Sequence, residues 1–344
     1  MKKSLLALLL CFAVALPSAA LDLGDPAPEL SIATWITGDP VDPTVVDGKS
    51  FYLVEVWSVT CPPCVKSIPI MNGIQKKYAK DGFRIVSFTT DSEDDVRRFL
   101  SEHPMEYSSF IDKEGGSIIN YMAADNRTTI PHAFLFDRSG ALVWIGNPLD
   151  NLESRVQQVI SGELNKEKAE KIRDAKDRLQ DSFGAQDVAG MLGSLRELEQ
   201  LEPENGQYYQ VHYRILTDLG AGDENDVKTL LQDWYKGAAN SPENLIILSM
   251  LAMDQGHPAM RDPQLALAAA KKAYALDGEG KLQAGLNLAD TYKAIGRIDL
   301  ALQIVGQLSP YTEDLEEKAM LDAIQEFYGK LEALAKNPDA VPAP

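Results

Sequence analysis

The run Phe51-Tyr52-Leu53-Val54-Glu55-Val56-Trp57 is apolar at every position but one, and three residues later the chain reads Cys61-Pro62-Pro63-Cys64. A run of that kind predicts a central strand covered on both faces, which requires helices above and below it. Proline interrupts the hydrogen-bond ladder of a strand and kinks a helix from inside, but is pre-organised for the first helical position. The chain therefore turns from strand to helix here, with Cys61 at the N-cap and Pro62 at N1. Ile68, Met71, Ile74 and Tyr78 recur at helical spacing and predict a helix over residues 62–79.

The flanking sequence extends the alternation. Phe83-Arg84-Ile85-Val86-Ser87-Phe88 reads as a second strand after an Asp81-Gly82 turn. Asp91-Ser92 offers an N-cap to a helix carrying Val96, Phe99 and Leu100 on one face. A short helix near 115–123 follows, then strands at 132–136 and 142–146 joined at Ser139-Gly140, then a closing helix at 150–161. Strand, helix, strand, helix, a hairpin and a last helix describe an α/β sandwich.

After Gly162 the texture changes. Residues 164–335 show amphipathic helices with short connections and no strand pattern. Pro203-Glu204-Asn205 recurs 39 residues later as Pro242-Glu243-Asn244, and Leu265-Ala266-Leu267 recurs 35 residues later as Leu300-Ala301-Leu302. These periods predict an all-α repeat domain of roughly four helix pairs with a terminal helix at about 313–335. The tail from Lys336 to Pro344, with three prolines, reads as disordered.

At 344 residues the chain suits two domains. Lys2 and Lys3, the apolar stretch Leu5–Leu16 and Ser18-Ala19-Ala20 read as a cleaved leader over residues 1–20. The stretch falls short of the about 20 residues that span a bilayer comfortably, and an uncleaved anchor is the alternative. The expected division is leader 1–20, α/β domain 21–162, helical domain 163–335 and tail 336–344. The expected location is an oxidising compartment, a bacterial periplasm. A formal charge of −18 disfavours nucleic acid and anionic membrane surfaces as partners.

Loss of the leader removes Cys11 and leaves Cys61 and Cys64 as the mature cysteines. Two cysteines three positions apart do not make a structural disulfide framework, and a four-ligand zinc site would need two more soft ligands. His103, His132, His212 and His257 are scattered singly, without ligand spacing. No glycine-rich phosphate loop follows a strand. The expectation is no small-molecule cofactor and no metal, with the cysteine pair as the redox group. Backbone N–H groups and the positive dipole end of the helix favour the thiolate of Cys61. Cys64, one turn in, is the more buried thiol. Cys61 then attacks a client disulfide and Cys64 resolves the mixed disulfide.

The stretch Trp57-Ser58-Val59-Thr60-Cys61-Pro62-Pro63-Cys64, with Pro69 five residues on, resembles the active-site strand and helix of thioredoxin. Ile130-Pro131-His132-Ala133-Phe134-Leu135-Phe136-Asp137 resembles that family's cis-proline loop, and Ser139–Gly146 its last hairpin. With the leader and the long insert at 92–128, the chain is similar to the exported TlpA/ResA-like branch over residues 24–162. The resemblance implies a cis Ile130–Pro131 peptide packed on the disulfide, and a loop at Ile130 and Pro131 that pairs with extended substrate. It also implies reduction of exported protein disulfides, with electrons from a membrane thiol donor. Leu288-Ala289, Tyr292, Gly296 and Ala301 resemble a tetratricopeptide helix pair, which implies a protein partner or client on the helical domain.

Glu55 has two readings. A lone acid on a central strand either reaches a sheet edge or a lysine such as Lys66, or stays desolvated with a raised pKa near the thiols. Thioredoxin carries a buried aspartate at this position, six residues before the first cysteine; relatives in the ResA-like branch often have a neutral residue there. Some of those relatives place a glutamate where this chain has Ser67, and thioredoxin has a second tryptophan where this chain has Thr60. Trp57 and Trp144 read as packing residues, and His132 as either a strand residue or a tuner of the thiolate. Other activities compete with reductase. The same dithiol chemistry permits an oxidase or isomerase. A peroxidase lacks its threonine and proline, since Ser58 and Val54 stand there, and a copper carrier would need a C-x-x-x-C pair. A thioredoxin–tetratricopeptide chaperone or scaffold is the alternative from another class.

Overall fold

The computed structural model describes residues 21–122, 128–238, 240–276, 280–312 and 315–336. The expected leader, Cys11 and residues 337–344 of the tail lie outside them. By its contacts the chain divides into two compact units, Met1–Asp174 and Ala175–Pro344.

The first unit holds a six-stranded mixed sheet: β1 (Ile32–Thr37), β2 (Phe51–Val56), β3 (Phe83–Thr89), β4 (Ser108–Asp112), β5 (His132–Phe136) and β6 (Leu142–Gly146). The order is β1-β4-β3-β2-β5-β6. Strand β2 lies inside the sheet, parallel to β3 and antiparallel to β5, and all six of its residues are buried. That is the physical meaning of its apolar run: both faces are covered, so alternation disappears. β3 and β4 are parallel, while β1–β4 and β5–β6 are antiparallel. Four helices belong to this sheet: α1 (Pro62–Tyr78), α2 (Glu93–Glu102), α3 (Gly116–Met122) and α4 (Leu152–Ser161).

Two local features fix the entry into the sheet. The turn before β3 uses Gly82 at φ 92°, where a Cβ would collide with the carbonyl oxygen of Lys49. Helix α1 starts on its prolines and passes through Pro69 without ending, burying Ile68, Met71, Ile74 and Tyr78 against the sheet. β1 and β4 are not read from the sequence. β1 is an edge strand with much of its surface exposed, and β4 begins with Ser108-Ser109, so neither shows a clean apolar pattern.

The second unit is helical throughout its described residues. Helix α5 (Lys166–Ala185) runs into it, followed by α6 (Val188–Leu201), α7 (Gly206–Asp218), α8 (Glu224–Gly237), α9 (Pro242–Leu251), α10 (Pro263–Ala275), α11 (Lys281–Ala294), α12 (Ile298–Gly306) and α13 (Leu315–Lys336). Consecutive helices pack on one another from α6 to α13, and α9 also packs on α11. The repeated tripeptides do not serve one purpose. Asn205 caps α7 with its own side chain, whereas Pro242 sits at N1 of α9 behind a Ser241 cap. They meet instead: the Asn244 side chain donates to the carbonyl of Glu204 at 2.8 Å. Ala266 and Ala301, the central residues of the other repeat, are both fully buried and let helices approach closely.

Candidate active site

β2 delivers the chain to the site. Trp57 continues its pairing through an amide bond to the carbonyl of Phe88 at 3.2 Å, and is 2% exposed with its ring 5.6 Å from that of Phe99. The next three residues are held from the end of β3. Asp91 accepts the amide of Val59 at 2.8 Å and the hydroxyl of Ser58 at 3.2 Å, and also takes the hydroxyl of Thr89 at 2.8 Å. Ser58 in turn receives the amide of Thr60 at 3.2 Å. Asp91 thus braces the approach to Cys61, while the N-cap of α2 is Ser92, which accepts from Asp95.

Cys61 is the N-cap of α1, and its sulfur accepts the amide of Cys64 at 3.2 Å. The prolines at 62 and 63 are exposed and carry no N–H, so the amide of Cys64 is the donor left to that sulfur. Cys61 and Cys64 are disulfide-bonded. Cys61 keeps 8% of its surface and Cys64 none, which leaves Cys61 as the sulfur open to attack from outside. The Ile130–Pro131 peptide is cis, and the Ile130 carbonyl oxygen lies 3.6 Å from the Cys61 sulfur. His132 opens β5, is half-buried, and has its ring 5.2 Å from that of Phe134.

Glu55 is 1% exposed on β2, between β3 and β5 rather than at an edge. Among the described residues no lysine is paired with it, and Lys66 is exposed. Its Oε1 accepts the hydroxyl of Ser67 at 3.3 Å, and that hydroxyl also reaches the Cys64 carbonyl at 2.9 Å. Its Oε2 has no partner among the described residues. Burial pushes the carboxyl up to about 8, opposed by the Ser67 hydrogen bond. Ser67, where some relatives place a glutamate, here serves the glutamate of the strand. Asp91 has a visible sequence signal only as a candidate cap; its bond to Val59 crosses 32 residues and leaves no trace in local pattern. Among the described residues, no group of three or more His, Cys, Asp or Glu side chains is placed to hold a metal ion.

The Redoxin family matches residues 22–160. The thioredoxin-like protein YneN of Bacillus subtilis is 32% identical over 122 residues, 35% of this chain and 68% of that protein. The chain belongs to the thioredoxin-like family. The thiol-disulfide oxidoreductase ResA of Bacillus thuringiensis is 28% identical over 151 residues, 44% of this chain and 76% of ResA. A thiol:disulfide interchange protein of the thioredoxin family from Chlorobium tepidum has a solved structure with TM-score 0.32 and 23% identity, covering 40% of this chain and 99% of that one. With its Cys61–Cys64 disulfide the thioredoxin-like unit is a thiol–disulfide oxidoreductase of the ResA type. The helical unit lies outside the Redoxin match.

Proposed function

We propose that the protein is an exported reductase of protein disulfides. The observation that carries the reading is the asymmetry of the pair: Cys61 sits at a helix N-terminus with an amide on its sulfur, and Cys64 is sealed beneath it. The Cys61 thiolate attacks one sulfur of a client disulfide, forming a mixed disulfide and releasing the other client sulfur as thiolate. Cys64 loses its proton to the carboxylate of Glu55 and attacks the Cys61 sulfur. The second client thiolate leaves, and the Cys61–Cys64 disulfide holds the two-electron oxidation. A thiol donor at the membrane then reduces that disulfide by the same exchange. The backbone of Ile130 and Pro131, lying over the Cys61 sulfur, is suited to pair with an extended client segment.

Export rests on the leader pattern of residues 1–20, and a periplasmic site on the oxidisable pair. No helix among the described residues is long and apolar enough to cross a membrane. The helical unit, read as tetratricopeptide-like, binds client or partner protein; solenoid repeats present such surfaces.

The test is equilibration of the mature protein in glutathione buffers to obtain the Cys61–Cys64 reduction potential. A thioredoxin-like potential near −270 mV, about the value of that reductant, supports the reductase. A DsbA-like potential, about −120 mV, overturns it in favour of an oxidant. Deletion of residues 175–344 tests the helical unit: unchanged reduction of every natural client would remove it from client delivery.

A further inference from the structure

The segment between α2 and β4 is tied to α1. The Asn72 side chain donates to the carbonyl of Pro104 at 2.9 Å and accepts the amide of Glu106 at 2.8 Å. Tyr107, the next residue, is 3% exposed. Strand register sets Glu55 beside Ser87, and Ser87 beside Ser109. Adjacent strands lie about 4.8 Å apart, so these three side chains form one polar row across the sheet. Tyr107 lies just before β4, in the segment that Asn72 and the Met105–Ser87 contact hold against this face.

The row is short of partners. Glu55 Oε2, the Tyr107 hydroxyl and Ser109 Oγ are all buried without a protein partner among the described residues. Among the described residues the Ser87 hydroxyl meets the sulfur of Met105, at 3.8 Å. A buried polar atom left unsatisfied is costly. A bridging water, which typically makes about three hydrogen bonds, would satisfy such atoms. The groups around Glu55 are otherwise few. α1 contributes Ser67 and β5 contributes Ala133, while His132 pairs with Val56 and faces the other side of the sheet. Tyr107 is the titratable side chain that feels Glu55, whose charge, after burial, holds the phenol protonated.

We propose that Tyr107 is a positioning residue for Glu55, its hydroxyl and that of Ser109 holding a buried water that donates to the free carboxylate oxygen. The inference rests on the role proposed above for Glu55. Donation to the ionised carboxylate opposes the rise that burial imposes. Tyr107 thereby keeps Glu55 able to accept the proton of Cys64 near neutral pH.

The experiment follows the Glu55 side-chain carboxyl by carbon NMR across pH in the oxidised full-length protein, its signal assigned with Glu55→Gln. Tyr107→Phe is expected to move the Glu55 midpoint upward by about one unit, the worth of one hydrogen bond to a charged group. It should also slow the resolution of a Cys61 mixed disulfide at pH 7, an effect that vanishes in the Glu55→Gln background. Ser109→Ala moves the midpoint the same way and stands in if Tyr107→Phe fails to fold. An unmoved midpoint in either folded variant overturns the proposal. If Glu55→Gln itself resolves mixed disulfides at the wild-type rate, the role of Glu55 falls, whatever the midpoints show.

Discussion

The amide of Cys64 points at the sulfur of Cys61 from 3.2 Å, so the backbone of the fully buried cysteine steadies the sulfur of the more exposed one. An N–H at a helix N-terminus stabilises a sulfur anion more than a neutral thiol. In the reduced protein, iodoacetamide at pH 7 is therefore expected to alkylate Cys61 faster than Cys64 and faster than free cysteine. Cys64→Ser should accumulate mixed disulfides with client protein, and Cys61→Ser should form none. Mass spectrometry of tryptic peptides reads both; equal labelling of the two cysteines would contradict the asymmetry.

Glu55 makes stability depend on pH in the sense opposite to a salt-bridged acid. Its carboxyl is held up to about 8 in the folded chain against 4.5 as its ordinary value. The folded state therefore binds the proton more tightly than the unfolded one. The stability that Glu55 contributes is fully present below about 4.5 and is lost as pH rises toward 8, levelling above it. Glu55→Gln stays neutral and should escape that loss. Thermal unfolding from pH 5 to 9 is expected to show the variant overtaking the wild type as pH rises, by on the order of a few kcal/mol at pH 9.

Asp91 bears on the site through geometry. It receives the Val59 amide and the Ser58 hydroxyl, the two residues that lead into Thr60 and Cys61. Asp91→Ala should cost about 1–3 kcal/mol in urea unfolding and lower the rate of Cys61 alkylation. Asp91→Asn keeps an oxygen for Val59 and a polar group for Ser58, and should recover most of both.

In the helical unit Trp234 is fully buried, and its ring stacks on Tyr209 at 5.5 Å with an interplanar angle of 7°. Its loss leaves a large cavity among Leu230, Leu231 and Leu245, all in the same core. Trp234→Ala is expected to destabilise that unit by about 3–5 kcal/mol. Urea unfolding followed by circular dichroism would then show the helical signal lost at lower denaturant.

The sequence reads well where partners are local. The β2 run, the strand at 132–136 and the hairpin strand at 142–146 match the structure because each carries its own period or its own turn. β1 and β4 escape because an edge strand needs no second apolar face and β4 starts on two serines, one of them in the row beneath the site. Asp91 illustrates the same limit: next to Ser92 it looks like a cap, and only the fold turns it toward Val59.

By itself the sequence determined that a covered strand runs into a helix at Cys61, that Cys61 caps the helix, and that an α/β unit gives way to helices. Those follow from apolar period and from proline's fixed φ and missing N–H, which act within a few residues. The tertiary structure alone decided that Glu55 is sealed with one free oxygen, that Tyr107 and Ser109 sit near it, and that the Ile130 carbonyl lies over the Cys61 sulfur. Those groups lie 52 to 69 positions apart in the chain, and strand register and packing, rather than local propensity, bring them into one neighbourhood.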